Sequence, residues 1–246
     1  MGTWPRPSPP PRTEGVITDV ALPPYPLQAL PPERLPELTG MGLGEEGFPA
    51  TLEALLSGAL PGVVTDAHHV PDPLPGGVAE VALGPGERRF ALVGGGALAD
   101  LPAGTPVRVP DTRCGALLRA HHPGLKVADG GSATRYAVVA LWQNPGAAAA
   151  GELLERDSWL PRAGEGIPVL LHRTGAPGVP SGDPPTEAVL RAERTLAGAF
   201  PGADLCVRGQ AFGGGVRLQA VLLSPDGTRA VRGETQGPLD LSLIHI

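Results

Sequence analysis

Proline and glycine interrupt this chain so often that only short elements fit between them. They number 31 and 36 among 246 residues. Together they exceed a quarter of the chain, a share that ordinarily signals low complexity or disorder. Against disorder stands a 41% hydrophobic content, far above that of an unfolded polar segment. Lys126 is the single lysine among 19 basic residues, and Asn144 is the single asparagine. Gly, Ala, Pro and Arg share GC-rich codons, so the bias fits a GC-rich genome as well as it fits disorder. The length suits one large domain or two to three small ones, each able to bury a core.

The same punctuation limits function. No apolar run approaches the roughly 20 residues of a membrane span. The opening MGTWPRPSPPPR lacks the basic-then-apolar order of a signal peptide. Two cysteines, Cys114 and Cys206, make no disulfide framework, so a reducing cytoplasm is expected. A formal net charge of −6 with scattered arginines argues against nucleic acid, which selects a basic stripe.

Residues 1–40 are proline-dense, with only Gly15–Leu22 patterned as a short strand or helix start. Leu52, Leu55 and Leu56 at helical spacing predict a helix over Thr51–Gly58, closed by its glycine. Strands are predicted at Val63–Thr65, Val78–Leu83, Phe90–Val93, Ala137–Trp142 and Ile167–His172, the last with its proline at the start or on an edge. A second helix covers Thr112–His121. After the linker Gly175–Pro185, a third runs to Gly198 with Thr186 as N-cap. Val216–Leu223 alternates as a strand, and Ser224–Gly227 turns into Thr228–Gly233. Strands alternating with helices, then a linker and a small terminal unit, indicate α/β domains plus an α+β module. The tail Leu241–Ile246 is compositionally foreign and carries no functional weight.

Two patterns are weak. Gly42-Leu-Gly44-Glu-Glu-Gly47 matches a dinucleotide fingerprint only formally, because no strand precedes it. His68-His69 and His121-His122 lack zinc spacing, so no metal is expected.

Glu53–Gly77 (EALLSGALPGVVTDAHHVPDPLPGG) resembles, without a gap, the stretch of porphobilinogen deaminases (hydroxymethylbilane synthases) that runs EALL-x-G, VHSxKDVP, LP-x-G. Further matches follow in order: Arg89 with Ala91–Val93, Ala99–Thr105 (ADLPAGT) with Arg113, His122–Val127 (HPGLKV), and Thr134-Arg135. Leu160–Arg173 (LPRAGEGIPVLLHR), Glu193-Arg194 and Ser224–Gly227 complete the series. The chain is identified as a divergent member of that family. The resemblance implies a monomeric three-domain α/β fold: two periplasmic-binding-protein-like domains and a small α+β C-terminal domain. The boundaries become 1–90 with a return segment 161–178, then 91–160, then a truncated 183–246.

The implied chemistry condenses porphobilinogen into hydroxymethylbilane on a dipyrromethane cofactor linked to a cysteine. The catalytic aspartate of VHSxKD falls on His69, and its lysine neighbour on His68. An imidazole offers one acceptor and no negative charge. Asp66 lies three residues away, an odd offset that in a strand faces the other side. The thioether position falls on Asp204, which cannot form that linkage. Cys206, two residues on, lies roughly 6–7 Å away on the same face of an extended segment. Arg113 and Arg135 stand at positions that grip substrate carboxylates. The second arginine of the LRR pair has become Cys114, and the family's glycine-flanked glutamine has become Glu165. Two readings follow: a divergent synthase of tetrapyrrole (haem) biosynthesis using porphobilinogen and dipyrromethane, or an inactive paralogue that binds a ligand or partner without a cofactor.

Overall fold

The computed structural model describes residues 48–60, 62–128 and 134–238. Gly15–Leu22, Gly42–Gly47, most of Ala128–Gly131 and Leu241–Ile246 lie outside them.

The first sheet is built by chain segments far apart in sequence. Helix α1 (Phe48–Ser57) ends where Gly58 turns at φ +78°, and Leu55 is fully buried beneath it. Strand β1 (Gly62–Asp66) follows, then a 3-10 turn at Ala67–His69 and β2 (Val78–Ala82). The chain then leaves to make a second sheet and returns as β8 (Pro168–Arg173), which inserts antiparallel between β1 and β2. Pro168 is the first residue of this central strand, opposite Asp66, where its missing N–H costs least.

The second sheet comprises β3 (Phe90–Val93), β4 (Pro106–Arg108), β5 (Lys126–Val127), β6 (Tyr136–Ala140) and β7 (Glu152–Leu153), in the order β5-β4-β6-β3-β7. Helix α2 (Thr112–His121) covers it, capped by Asp111, which accepts from the Cys114 N–H at 2.6 Å. A one-turn helix, α3 (Ala147–Ala150), precedes β7. The third sheet is a meander of β9 (Asp204–Phe212), β10 (Gly215–Leu223) and β11 (Ala230–Pro238), nine residues each. The structure is thus mixed α/β and mostly sheet.

Helix α4 (Pro184–Gly198) corrects one expectation. Its N-cap is Asp183, whose carboxylate accepts from the Thr186 N–H at 3.1 Å and from the Thr186 hydroxyl. Pro184 and Pro185 occupy the first turn, where a missing N–H is harmless. Thr186 is the capped residue, not the cap. Asp183→Ala is expected to lower stability by about 1 kcal/mol in urea titration.

Apolar side chains form two large clusters. One joins α1, the first sheet and α4; the other joins the second sheet, α2, Trp142 and Trp159. Strands β9 and β10 feed both, through Val207, Val216 and Leu218 on one side and Cys206, Val221 and Leu223 on the other. Among the described residues no helix is long and apolar enough to cross a membrane.

Candidate functional site

Between Leu160 and Ile167 the chain crosses from the second sheet back to the first. Its turns depend on Gly164 (φ +74°) and Gly166 (φ +78°), and a Cβ at Gly166 would lie 2.6 Å from the Glu87 carbonyl. Two sheets and two helices hold this loop. Gly166 N–H donates to Asp66 Oδ2 at 2.7 Å, Gly164 N–H to Glu193 Oε2 at 2.8 Å, and Val207 N–H to the Pro161 carbonyl at 2.7 Å. From α2, Arg113 donates to the Leu160 carbonyl at 2.7 Å.

A closed set of charges surrounds the loop. The Arg113 side chain is fully buried, and one of its amino groups meets Glu165 Oε2 at 2.9 Å and Asp111 Oδ2 at 3.1 Å. Glu165 also accepts from the Arg162 N–H at 2.8 Å, and the Arg162 guanidinium reaches His68 Nε2 at 3.5 Å. Arg113 Nε has no hydrogen-bond partner among the described residues, although the guanidinium stacks 5.6 Å from the Phe90 ring. Burial works to raise the Asp111 carboxyl, but Arg113, the Cys114 N–H and Arg162 outweigh it and hold it below the usual range. Burial lowers His68, against the pull of Glu165, so its imidazole is neutral at pH 7.

Asp66 is the exception. Burial pushes its carboxyl up to about 7, although the His68 and Gly166 N–H groups favour the ion. The opposite-face expectation for Asp66 rests on a continuing strand, and β1 ends there. Residues 67–69 form a 3-10 turn that Asp66 itself caps through the His68 N–H at 2.9 Å. Strand parity no longer applies.

The sequence-named residues do not all meet here. Arg113 and Cys206 do, with the Cys206 sulfur 4.0 Å from an Arg113 amino group. His69 is half-buried, its ring 5.4 Å from that of His68, and it is His68 that reaches Arg162. Arg135 is exposed at the second sheet, donating to the Gly94 carbonyl at 3.0 Å and lying over Tyr136. Asp204 is half-buried at the start of β9, opposite Leu223. Cys206 is fully buried opposite Val221, and burial raises its thiol to about 11 despite the pull of Arg113. Cys114 is likewise buried and raised. Moving Cys206 by two residues would break a nine-residue ladder with β10. No group of three or more His, Cys, Asp or Glu able to hold a metal occurs among the described residues.

Chemically, the network neutralises itself. A ligand carboxylate reaching for Arg113 must displace Glu165 or Asp111, and uncoupling a buried pair costs about 3–5 kcal/mol. Sequence reasoning missed Asp111 and Glu193 as members. The signals available were an Asp two residues before Arg113 and a Glu within the apolar stripe of α4.

No family model matches the chain. A porphobilinogen deaminase from Rubrobacter xylanophilus is 30% identical over 210 residues, covering 75% of this chain and 69% of that protein. Those of Bordetella parapertussis and Bordetella bronchiseptica are each 33% identical over 174 residues, covering 59% of this chain. The match spans about half of the Bordetella proteins, 54% of each. Among solved structures, the regulatory domain of MexT, a transcriptional activator in Pseudomonas aeruginosa, matches at 17% identity over 58% of this chain and 76% of that one. Its TM-score of 0.30 is too low to inform the fold.

Proposed function

Because the chain belongs to the porphobilinogen deaminase family, we propose that it is a catalytically inactive member, a ligand-binding or interaction protein. In this reading it keeps the family frame of 1–90 with 161–178, 91–160 and 183–246 as a cytoplasmic monomer. Membership of the first sheet supports that frame, since β8 returns from beyond residue 160 to join β1 and β2.

One observation carries the reading: Arg113 is fully buried and tied to Glu165 and Asp111. Its partner carboxylates occupy the edge that a substrate acetate or propionate would need. The group implied by the family does not fit the residues present. Asp204 cannot form a thioether, and the Cys206 thiol is protonated at neutral pH and buried inside a ladder. His69 supplies no carboxylate to stabilise a developing cation. The competing reading, a divergent hydroxymethylbilane synthase, needs His69, Arg113, Arg135 and Cys206 to act together.

Mass spectrometry separates the two. After incubation with porphobilinogen, the protein is expected to keep its unmodified mass and no bilane is expected to form. A dipyrromethane-sized adduct that disappears in Cys206→Ser, together with bilane formation, would restore the synthase.

A further inference from the structure

A cavity of about 460 Å³ opens beside the crossing loop, between Pro85–Arg89, the first turn of α4 and β9. Its volume falls in the range of small-molecule sites. Four arginines are among its lining residues, Arg88, Arg89, Arg156 and Arg208, with two acidic residues, Glu87 and Asp183. Both carboxylates are already engaged. Glu87 is held by Arg89 through contacts of 2.9, 3.0 and 2.5 Å, and Asp183 caps α4.

The arginines divide differently. Arg88 is tied to buried Glu193 at 2.6 and 3.0 Å and forms a fixed wall. Arg208 is bonded through one amino group, to Gln219 and to Asp157, whose side chain is 65% exposed. Its other N–H groups make no bond to another described residue. Arg156 is exposed and makes no hydrogen bond or ion pair to any described residue. The positive end of the 15-residue helix α4 lies at the same wall. Ile167, Val189 and Ala211 supply an apolar side.

We propose that this cavity binds a small organic polycarboxylate, gripped by Arg156 and Arg208 and seated against the apolar wall. Planar, forked guanidinium donors at the rim match carboxylates pairwise, and the apolar wall suits a carbon skeleton. The site takes the reading of the chain as a non-catalytic binder one step further, and can be tested apart from it.

Isothermal titration of the full chain with citrate, in 150 mM salt to screen diffuse attraction, should give a saturable site of one citrate per chain. Arg156→Ala should weaken it at least about tenfold, the loss of one charge-assisted contact. Arg156 is exposed and unbonded, so this variant keeps its fold. Arg229→Ala, an exposed arginine outside the cavity, should change affinity less than about twofold. No heat up to 10 mM citrate, or equal weakening by Arg156→Ala and Arg229→Ala, overturns the site. So does inorganic phosphate binding as tightly as citrate, because it needs no carbon-skeleton wall. Bilane formation from porphobilinogen would overturn the non-catalytic reading while leaving a positive citrate result intact.

Discussion

Asp66→Asn is expected to gain stability relative to the unsubstituted chain as pH rises from 4 to 8, by about 4 kcal/mol across the window. The cause is the buried carboxyl at the end of β1, raised to about 7 by burial. A group whose folded pKa lies above its unfolded value stabilises the fold fully below the unfolded value, near 3.8. That stabilisation drains away as pH climbs through about 7, because the folded state must then either keep a proton or bury a charge. Asparagine carries no such proton. It also sets one amide group against the Gly166 or His68 N–H, a cost that does not vary with pH and appears as a constant offset. Urea titrations of both proteins at five pH values isolate the difference. A difference that stays flat within 1 kcal/mol would show that Asp66 titrates as an ordinary exposed carboxyl.

Glu193→Ala is expected to cost about 3–5 kcal/mol. Glu193 is fully buried in α4 and takes both forks of Arg88. It also accepts the Gly164 N–H of the crossing loop and the Gly209 N–H of β9. Deleting it strands a guanidinium and two amide donors with little access to water. Each unmatched buried donor costs about 1–3 kcal/mol, and a stranded charge more. The double variant Arg88→Met/Glu193→Leu removes the ion pair and keeps apolar volume, so it should recover part of the loss. If the single variant costs less than 1 kcal/mol at unchanged denaturant slope, Glu193 is not the tie between loop, helix and third sheet.

Much of the fold was legible along the chain because its elements follow local rules. Leu52 and Leu55 at helical spacing before Gly58 gave α1, the stripe from Ala188 to Leu196 gave α4, and Val216–Leu223 gave β10. The two-residue strands β5 and β7 were missed, because a bridge that short has no period to detect. Strand β9 was missed as well. DLCVRGQAF mixes charge, glycine and apolar residues without alternation, because its burial comes from two different cores. The site was half legible. Aligned motifs pointed to Arg113 and Glu165, and to Asp204 with Cys206 two residues on, but strand parity between Asp66 and His69 does not apply, because β1 ends at Asp66.

What the sequence determined by itself is the longer helices, the regularly patterned strands and the family, since helix spacing, turn residues and ordered motifs are properties of neighbouring positions. Tertiary structure alone decided the ionic state of the site. Whether Arg113 faces a ligand or a carboxylate depends on Glu165, 52 positions away, and on the return of the loop that carries it. Charges meet through space in a medium of low dielectric, and neither that distance nor that burial is written in the order of residues.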